Sequence, residues 1–557
     1  MSFPRLRSYA HRLGRAIEAL PPLNRELKAA ITGRLGTDGG GVIALIVAAR
    51  DDPLTRQVRR AFPKAKVHEL AQTGSDRHVR LTTLRPIDVI VDARGPSRRA
   101  ERFLDEFYQL RDGGVLIATM GAPEARDHHE DSLGALLASA AAARNKPAPT
   151  KTRGVPRATL DAHALGTALG TVEAAGLHLV LERTGPDARA KLREPEMNAY
   201  LAARPYERDR VLEIIPAQPF RSRCELRENA SPGRPNYPDR YDTIDLSLRL
   251  YHDAVVSPAQ VLATEDVITP DSYRHNQFPR LGNRATIEMA PRFARLKHPT
   301  DDLPYLPGTY YHLDNEFRGH YGHLMTEQIS RLWAWPHAKA RYPDLKAVVA
   351  VNKGRQLADW ESRIYAAGGI APKDLVFLEG PARVERITSA TPMLSNPNYV
   401  HPDIVPVWRG IGDQLAADEP AADSYPDRIF CSRRLAKRAC HNTDEVEEIF
   451  AAHGFAVVYP EEHSLAEQTH LFRAADVIGG FAGSGLFNLC LVTEPKQVIL
   501  INSTAYTARN EYLIASLLGH SIADVTCVPD DPTFYQSPFR FNPDREGRFL
   551  ASVLAGL

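Results

Sequence analysis

The chain has 557 residues, more than one ordinary hydrophobic core organises, so about two to four domains are expected. With 25% charged and 43% hydrophobic residues it has the composition of a soluble globular protein, and its formal net charge of +1 excludes a general nucleic-acid binder. Five scattered cysteines (Cys224, Cys431, Cys440, Cys490, Cys527) fit a reducing compartment better than a disulfide framework; with no signal-like start and no run of about 18 apolar residues, they lead to the expectation of a cytoplasmic chain.

Residues 4–20 predict an amphipathic helix: Leu6, Tyr9, Leu13, Ile17 and Leu20 recur at helical spacing, flanked by four arginines, and Pro21-Pro22 ends it. Such a helix can lie on the inner face of an anionic membrane, or dock on its own protein or on a second copy in a homodimer. From Val42 to about Pro123, strands 42–48, 66–70, 88–92 and 113–118 alternate with helices 53–62 and 99–110, which implies a parallel sheet. Ala162–Ala175 reads as a further helix and Leu177–Glu182 as a strand. The stretch from Asp88 to Gly121 resembles the second half of the S-adenosylmethionine methyltransferase fold. The turn after the first strand, Ala49 to Pro53, holds no glycine to admit a cofactor, so a methyltransferase-like shell without the cofactor is expected.

Residues 215–240 are rich in Pro, Arg and Asn and mark a boundary, and 241–308 look strand-rich and irregular. A second α/β pattern starts near Thr309, with a helix over Tyr321–His337, strands at 346–351 and 375–378, and a helix over Asp403–Leu415. The expected organisation is therefore 1–36 as a helical start, 37–200 as the first Rossmann-like domain, 201–308 as a connector, and 309–420 and 421–557 as two further Rossmann-like halves.

The last half carries the most chemistry. A strand ends in Ser432-Arg433-Arg434, with Arg438 following. Pro460-Glu461 precedes Ser464 to Gln468, and a strand then stops in GGFAGSGLFN, Gly479 to Asn488, before a helix. An apolar strand that stops in a Gly/Ser loop and restarts as a helix aims backbone N–H groups and the helix dipole at one point, which suits a diphosphate. On the 321–337 helix, Glu327 follows His323 by four residues, so both share a face. His320, His323 and Glu327 also resemble a metal face, although no nearby Cys or His cluster completes a shell.

In order and spacing, Gly319 to Glu327, Phe430 to Arg434 with Arg438, Asn442 and Glu445, Pro460 to Gln468, and Val477 to Asn488 resemble the motifs of family 61 glycosyltransferases, over about residues 305–525. The departure is Phe481-Ala482, where that family has Pro-His. The resemblance implies a GT-B-type pair of Rossmann-like domains, preceded here by the methyltransferase-like one, and inverting sugar transfer without an obligatory metal or other cofactor. It implies a nucleotide-sugar donor and a glycan or glycolipid acceptor in cell-surface polysaccharide synthesis such as capsule formation. Glu327 or His323 would be the base, with His320 and Asp314 on the acceptor side. The donor would lie against Ser432, Arg433, Arg434, Arg438, Glu467, Gln468, Gly483, Ser484, Gly485 and Leu486. A non-catalytic nucleotide- or sugar-binding module and a methyltransferase are the rival readings.

Overall fold

The computed structural model describes residues 22–71, 76–94, 99–119, 133–146, 155–185, 188–204, 208–229, 237–274, 280–351, 356–434 and 438–557; the helix expected over 4–20 lies outside them. They form two compact units, one drawn from the described residues of 22–204, 263–270 and 280–299, the other from those of 208–262, 271–274 and 300–557.

The first unit is built on a six-stranded sheet in the order Ala65–Ala71, Gly41–Val47, Ile87–Asp92, Leu110–Thr119, His178–Arg183, Leu169–Ala175. The first four strands are parallel, and His178–Arg183 runs antiparallel to both its neighbours. The Val/Ile-rich runs are buried along most of their length, as parallel strands covered on both faces require. The helix expected over 162–175 is instead a helix Arg157–Ala168 followed by a strand Leu169–Ala175. Thr171 and Val172 are β-branched, and Gly176 takes φ +61° to turn the chain back into His178–Arg183, so the second half of that alanine-rich stretch pairs as a hairpin. The turn after the first strand is filled by its own contacts. Glu69 accepts the Asp51 N–H at 2.7 Å, and the Asp52 side chain caps the next helix on the Leu54 N–H at 2.9 Å.

Two larger sheets position the site in the second unit. In the first, Tyr305–His312, Lys346–Ala350 and Leu375–Leu378 lie parallel beside Ala382–Ala390, which pairs antiparallel with the long strand Leu246–Ser257. The second is wholly parallel, in the order Glu225–Glu228, Ser521–Cys527, Gln497–Ser503, Val477–Phe481, Arg428–Cys431, Ala456–Val458. Its edge strand Glu225–Glu228 comes from the stretch read as a connector, and so does Leu246–Ser257 in the first sheet. One continuous apolar core runs from Tyr311 and Val349 through Trp408 and Ile411 of the helix Ile404–Ala417 to Leu489, Leu500 and Ile514.

The helix expected over 321–337 is a run of changing geometry: α over Tyr321–His323, π over Leu324–Gln328, 3-10 over Ile329–Ala334 and α again over Trp335–Arg341. Pro336, which lacks an N–H, stands in the first turn of the last piece, where that donor is not needed. A single π turn in a helix widens it and re-aims the side chains it carries; here that turn carries Glu327.

Glycines set the close approaches. A Cβ on Gly480 would meet the Cys431 carbonyl oxygen at 2.8 Å and Leu486 at 3.0 Å. A Cβ on Gly322 would meet the Ser484 Cβ at 2.9 Å and Phe487 at 3.1 Å. Gly322 therefore lets the 321–323 turn lie directly on the 483–485 turn. Gly480→Ala should lower the stability of the second unit by about 1–3 kcal/mol, since a backbone carbonyl must move to admit the methyl; a fall in the urea midpoint without a change in slope is the expected measurement.

Candidate functional site

A cavity of about 970 Å³ lies within the second unit, and it gathers most of the singled-out residues. From the first-sheet side come Phe317, His320, His323 and Glu327 with the helix Asp359–Ala367. From the second-sheet side come Ser432, Arg433, Arg438, Gln468, the turn Gly483–Gly485, Tyr506 and Tyr535.

The Glu327 carboxylate accepts three hydrogen bonds: from His323 Nδ1 at 2.8 Å, from Arg274 Nε at 2.9 Å and from Asn315 Nδ2 at 2.7 Å. The Asn315 amide is oriented by its oxygen, which accepts the Phe317 N–H at 2.7 Å, so its nitrogen must face Glu327. Burial alone raises the Glu327 pKa, but the His323 hydrogen bond and charge, the Arg274 charge and the Asn315 bond outweigh it and bring the group down to about 2. An ionised carboxylate can only accept, so His323 Nδ1 carries the proton between them, and the free lone pair of the imidazole, when it has one, is on Nε2. The His323 ring stacks on Phe317 at 4.6 Å and lies 4.6 Å from the His320 ring, while Arg274 stands 4.5 Å over Phe317. The shared face expected of residues 323 and 327 is thus a bonded pair. Arg274 was invisible to sequence reasoning because it lies in the irregular stretch between strands.

The other wall is cationic. Arg433 follows the strand Arg428–Cys431; its guanidinium reaches the carbonyls of Ala482 (3.4 Å) and Arg438, and stands 5.1 Å over the Phe481 ring. Burial first, then the neighbouring Arg438 charge, lowers its pKa to about 10. Arg438 takes φ 54°, uncommon for a residue with a Cβ, and its guanidinium lies 4.0 Å over the Tyr506 ring with Nη1 buried and without a partner. Among the described residues neither guanidinium forms a salt bridge with a carboxylate. The Phe481-Ala482 departure is used here: the ring supports Arg433 and the next carbonyl accepts from it.

The Gly-rich turn opens a helix, of 3-10 geometry, over Ser484–Leu491. The Gly483 N–H is not open, since it donates to the buried Glu511 carboxyl at 2.6 Å, while Leu486 N–H returns to the Gly483 carbonyl at 3.0 Å. Ser484 and Gly485 are left as the first-turn N–H groups without an intrahelical acceptor. Gly483 has φ 138°, and a Cβ there would meet Arg438 Nη2 at 2.7 Å, so the glycine and Arg438 occupy one space. Burial raises the Glu511 pKa to about 7, only partly offset by the hydrogen bond from Gly483 and the Arg438 charge.

Several expected residues have other work. Asp314 is buried and accepts the N–H groups of Gln260 (2.7 Å) and Ala350 (3.0 Å), a backbone brace away from the cavity. The Ser432 hydroxyl donates to Glu447. Arg434 points to solvent, pairing with Glu462 at 2.8 Å over the Tyr459 ring. Glu467 does not line the cavity and pairs at 3.1 Å with His463, which does, and Leu486 is core. Gln468 lines the cavity but also braces it: its amide nitrogen donates to the His463 carbonyl, and its oxygen accepts from Asn488, which in turn takes the Tyr321 hydroxyl. Among the described residues no group of three or more His, Cys, Asp or Glu side chains forms a metal site, and no helix is long and apolar enough to cross a membrane.

Two solved structures of the MycE methyltransferase from the mycinamycin biosynthetic pathway, one with Mg and SAH and one with Mg, SAH and mycinamycin VI, align with 29% of this chain at 11% identity and a TM-score of 0.21. The alignment spans 48% and 55% of those chains, about half their length, and so distant a likeness carries no argument here. No curated protein matches the chain. Residues 321–500, which supply His323, Glu327, Arg433, Arg438 and the 483–485 turn, match the model of the Glycosyltransferase 61 family, and that match suggests glycosyltransferase activity.

Proposed function

We propose that the protein transfers a sugar from a nucleotide-sugar donor to an acceptor hydroxyl with inversion at the anomeric carbon. The observation that carries this reading is the pair of guanidiniums, Arg433 and Arg438, which line the cavity with the Ser484–Gly485 turn and form no salt bridge with a carboxylate among the described residues. Positive charge held on rings and carbonyls keeps its attraction for an anion, and a nucleoside diphosphate is the leaving group that needs it.

In this reaction the acceptor O–H gives its proton to His323 Nε2 as its oxygen bonds to the anomeric carbon. The bond from that carbon to the β-phosphate oxygen breaks, and the electron pair leaves on the diphosphate, stabilised by the two arginines and the turn. Glu327 holds the His323 ring and steadies the imidazolium that forms; it is a positioning group rather than the base. The cationic wall supplies the charge stabilisation that a divalent ion supplies in other sugar transferases. The acceptor belongs to cell-surface polysaccharide or glycoconjugate synthesis in this reading.

Arg433→Ala and Arg438→Ala should each weaken uridine diphosphate binding by about 1.5–3 kcal/mol in calorimetry; unchanged affinity in both, across uridine, guanosine and cytidine diphosphates, would sink the reading. His323→Ala should lower kcat by about 10²–10⁴-fold with donor affinity kept, and Glu327→Gln by a smaller factor; nucleotide binding with no turnover of any donor by the unaltered protein would instead favour a binding module. Above about pH 7 Glu511 ionises beside Arg438 and competes with the diphosphate. Affinity for UDP-glucose, whose phosphates do not titrate there, should therefore fall several-fold between pH 6 and 8, and Glu511→Gln should flatten that dependence.

A further inference from the structure

Of the four tryptophans, Trp333, Trp335 and Trp408 are buried, at 5%, 3% and 1% exposure. Trp360 is the exception: half-buried, in the cavity wall, edge-on to Tyr321 at 5.5 Å. Trp333 and Trp335 donate their indole N–H to the carbonyls of Thr391 and Gly369 at 2.9 Å, whereas no acceptor among the described residues meets that of Trp360. A tryptophan left partly in water with its N–H unused has a ring and a donor available to a ligand.

Beside it on the same helix, Arg363 Nε donates to Asp359 Oδ2 at 2.9 Å, and both residues line the cavity. That single bond leaves the outer guanidinium nitrogens as donors and the second carboxylate oxygen as an acceptor a few ångströms away. A planar donor fork next to an acceptor matches two adjacent hydroxyls. The ring of a pyranose offers a C–H face for the indole and vicinal hydroxyls for the pair; a lipid tail or an extended peptide offers no such combination.

We propose that Trp360, Arg363 and Asp359 form the acceptor subsite, the sugar ring of the acceptor seated on Trp360 and its vicinal hydroxyls on Arg363 and Asp359. The inference rests on the reading above, since it takes the His323 side of the cavity as the acceptor side. Tyr321 links the two, being adjacent to His320 in sequence and in ring contact with Trp360.

The test is saturation-transfer NMR on the full chain with uridine diphosphate present, using methyl α- and β-glycosides of glucose, galactose, mannose and N-acetylglucosamine as probes. At least one glycoside should receive saturation on its ring protons, with Trp360→Ala weakening it at least tenfold, Trp360→Phe less, and Arg363→Gln at least threefold. Uridine diphosphate affinity should move less than twofold in these variants. Arg363 is partly exposed, so its variant keeps the test sound if Trp360→Ala does not fold. Two results would overturn the proposal: no glycoside binding, or loss of nucleotide rather than glycoside affinity in Trp360→Ala, which would make Trp360 a nucleobase platform. Failure of the wider reading looks different, because then the nucleotide itself does not bind the unaltered protein.

Discussion

Two half-buried guanidiniums, Arg433 and Arg438, neither of them salt-bridged to a carboxylate among the described residues, are the constraint on which this wall of the cavity depends. Taking an arginine out of water costs several kcal/mol unless something replaces the water. A carboxylate would do so and would also cancel the charge. Here the replacements are neutral: the Ala482 and Arg438 carbonyls and the faces of Phe481 and Tyr506. The glycines follow from this arrangement. Gly483 has no side chain because Arg438 Nη2 occupies that space, and Gly480 has none because the Cys431 strand, which leads into Arg433, passes within 2.8 Å of where a Cβ would stand.

The opposite wall inverts that logic. Glu327 is a carboxylate over-supplied with donors, three of them, so it stays ionised at any physiological pH and is a weak proton acceptor. Its value lies in what it imposes on His323, a fixed tautomer and a fixed ring plane. The π turn carrying Glu327 and the stacking of Phe317 against the His323 ring serve the same end. In the reaction proposed above, the guanidiniums on one wall and the oriented imidazole on the other keep leaving-group stabilisation apart from proton removal, the two tasks of a displacement at an anomeric carbon.

Much of this was legible in the chain. The parallel α/β character of both units, the pairing of His323 with Glu327 at i,i+4, and the placement of Arg433 and the 483–485 turn at the ends of neighbouring strands followed from periodicity and motif order. The misreadings share a cause. Arg433 and Arg434 are adjacent and equally basic, yet alternation along an extended chain sends one into the cavity and the other to Glu462 in solvent. The Ser432 hydroxyl and the Gly483 N–H looked available because Glu447 and Glu511, 15 and 28 residues away, gave no sign that they would claim them. The alanine-rich stretch ending at Ala175 has no strong period, so pairing with His178–Arg183 decided its second half.

What the sequence alone determined is the kind of chemistry: local patterns of two to ten residues specify strands, turns and helix faces, and the family motifs lie within such windows. Which polar groups remain available for that chemistry was decided only in the tertiary structure. Arg274, Trp360 and Glu511 matter because of residues tens to hundreds of positions away, and the strand Glu225–Glu228 completes a sheet begun some 200 residues later in the chain. Satisfaction of a buried polar group depends on everything within about 3 Å of it, and proximity in a folded chain is not written in the order of its residues.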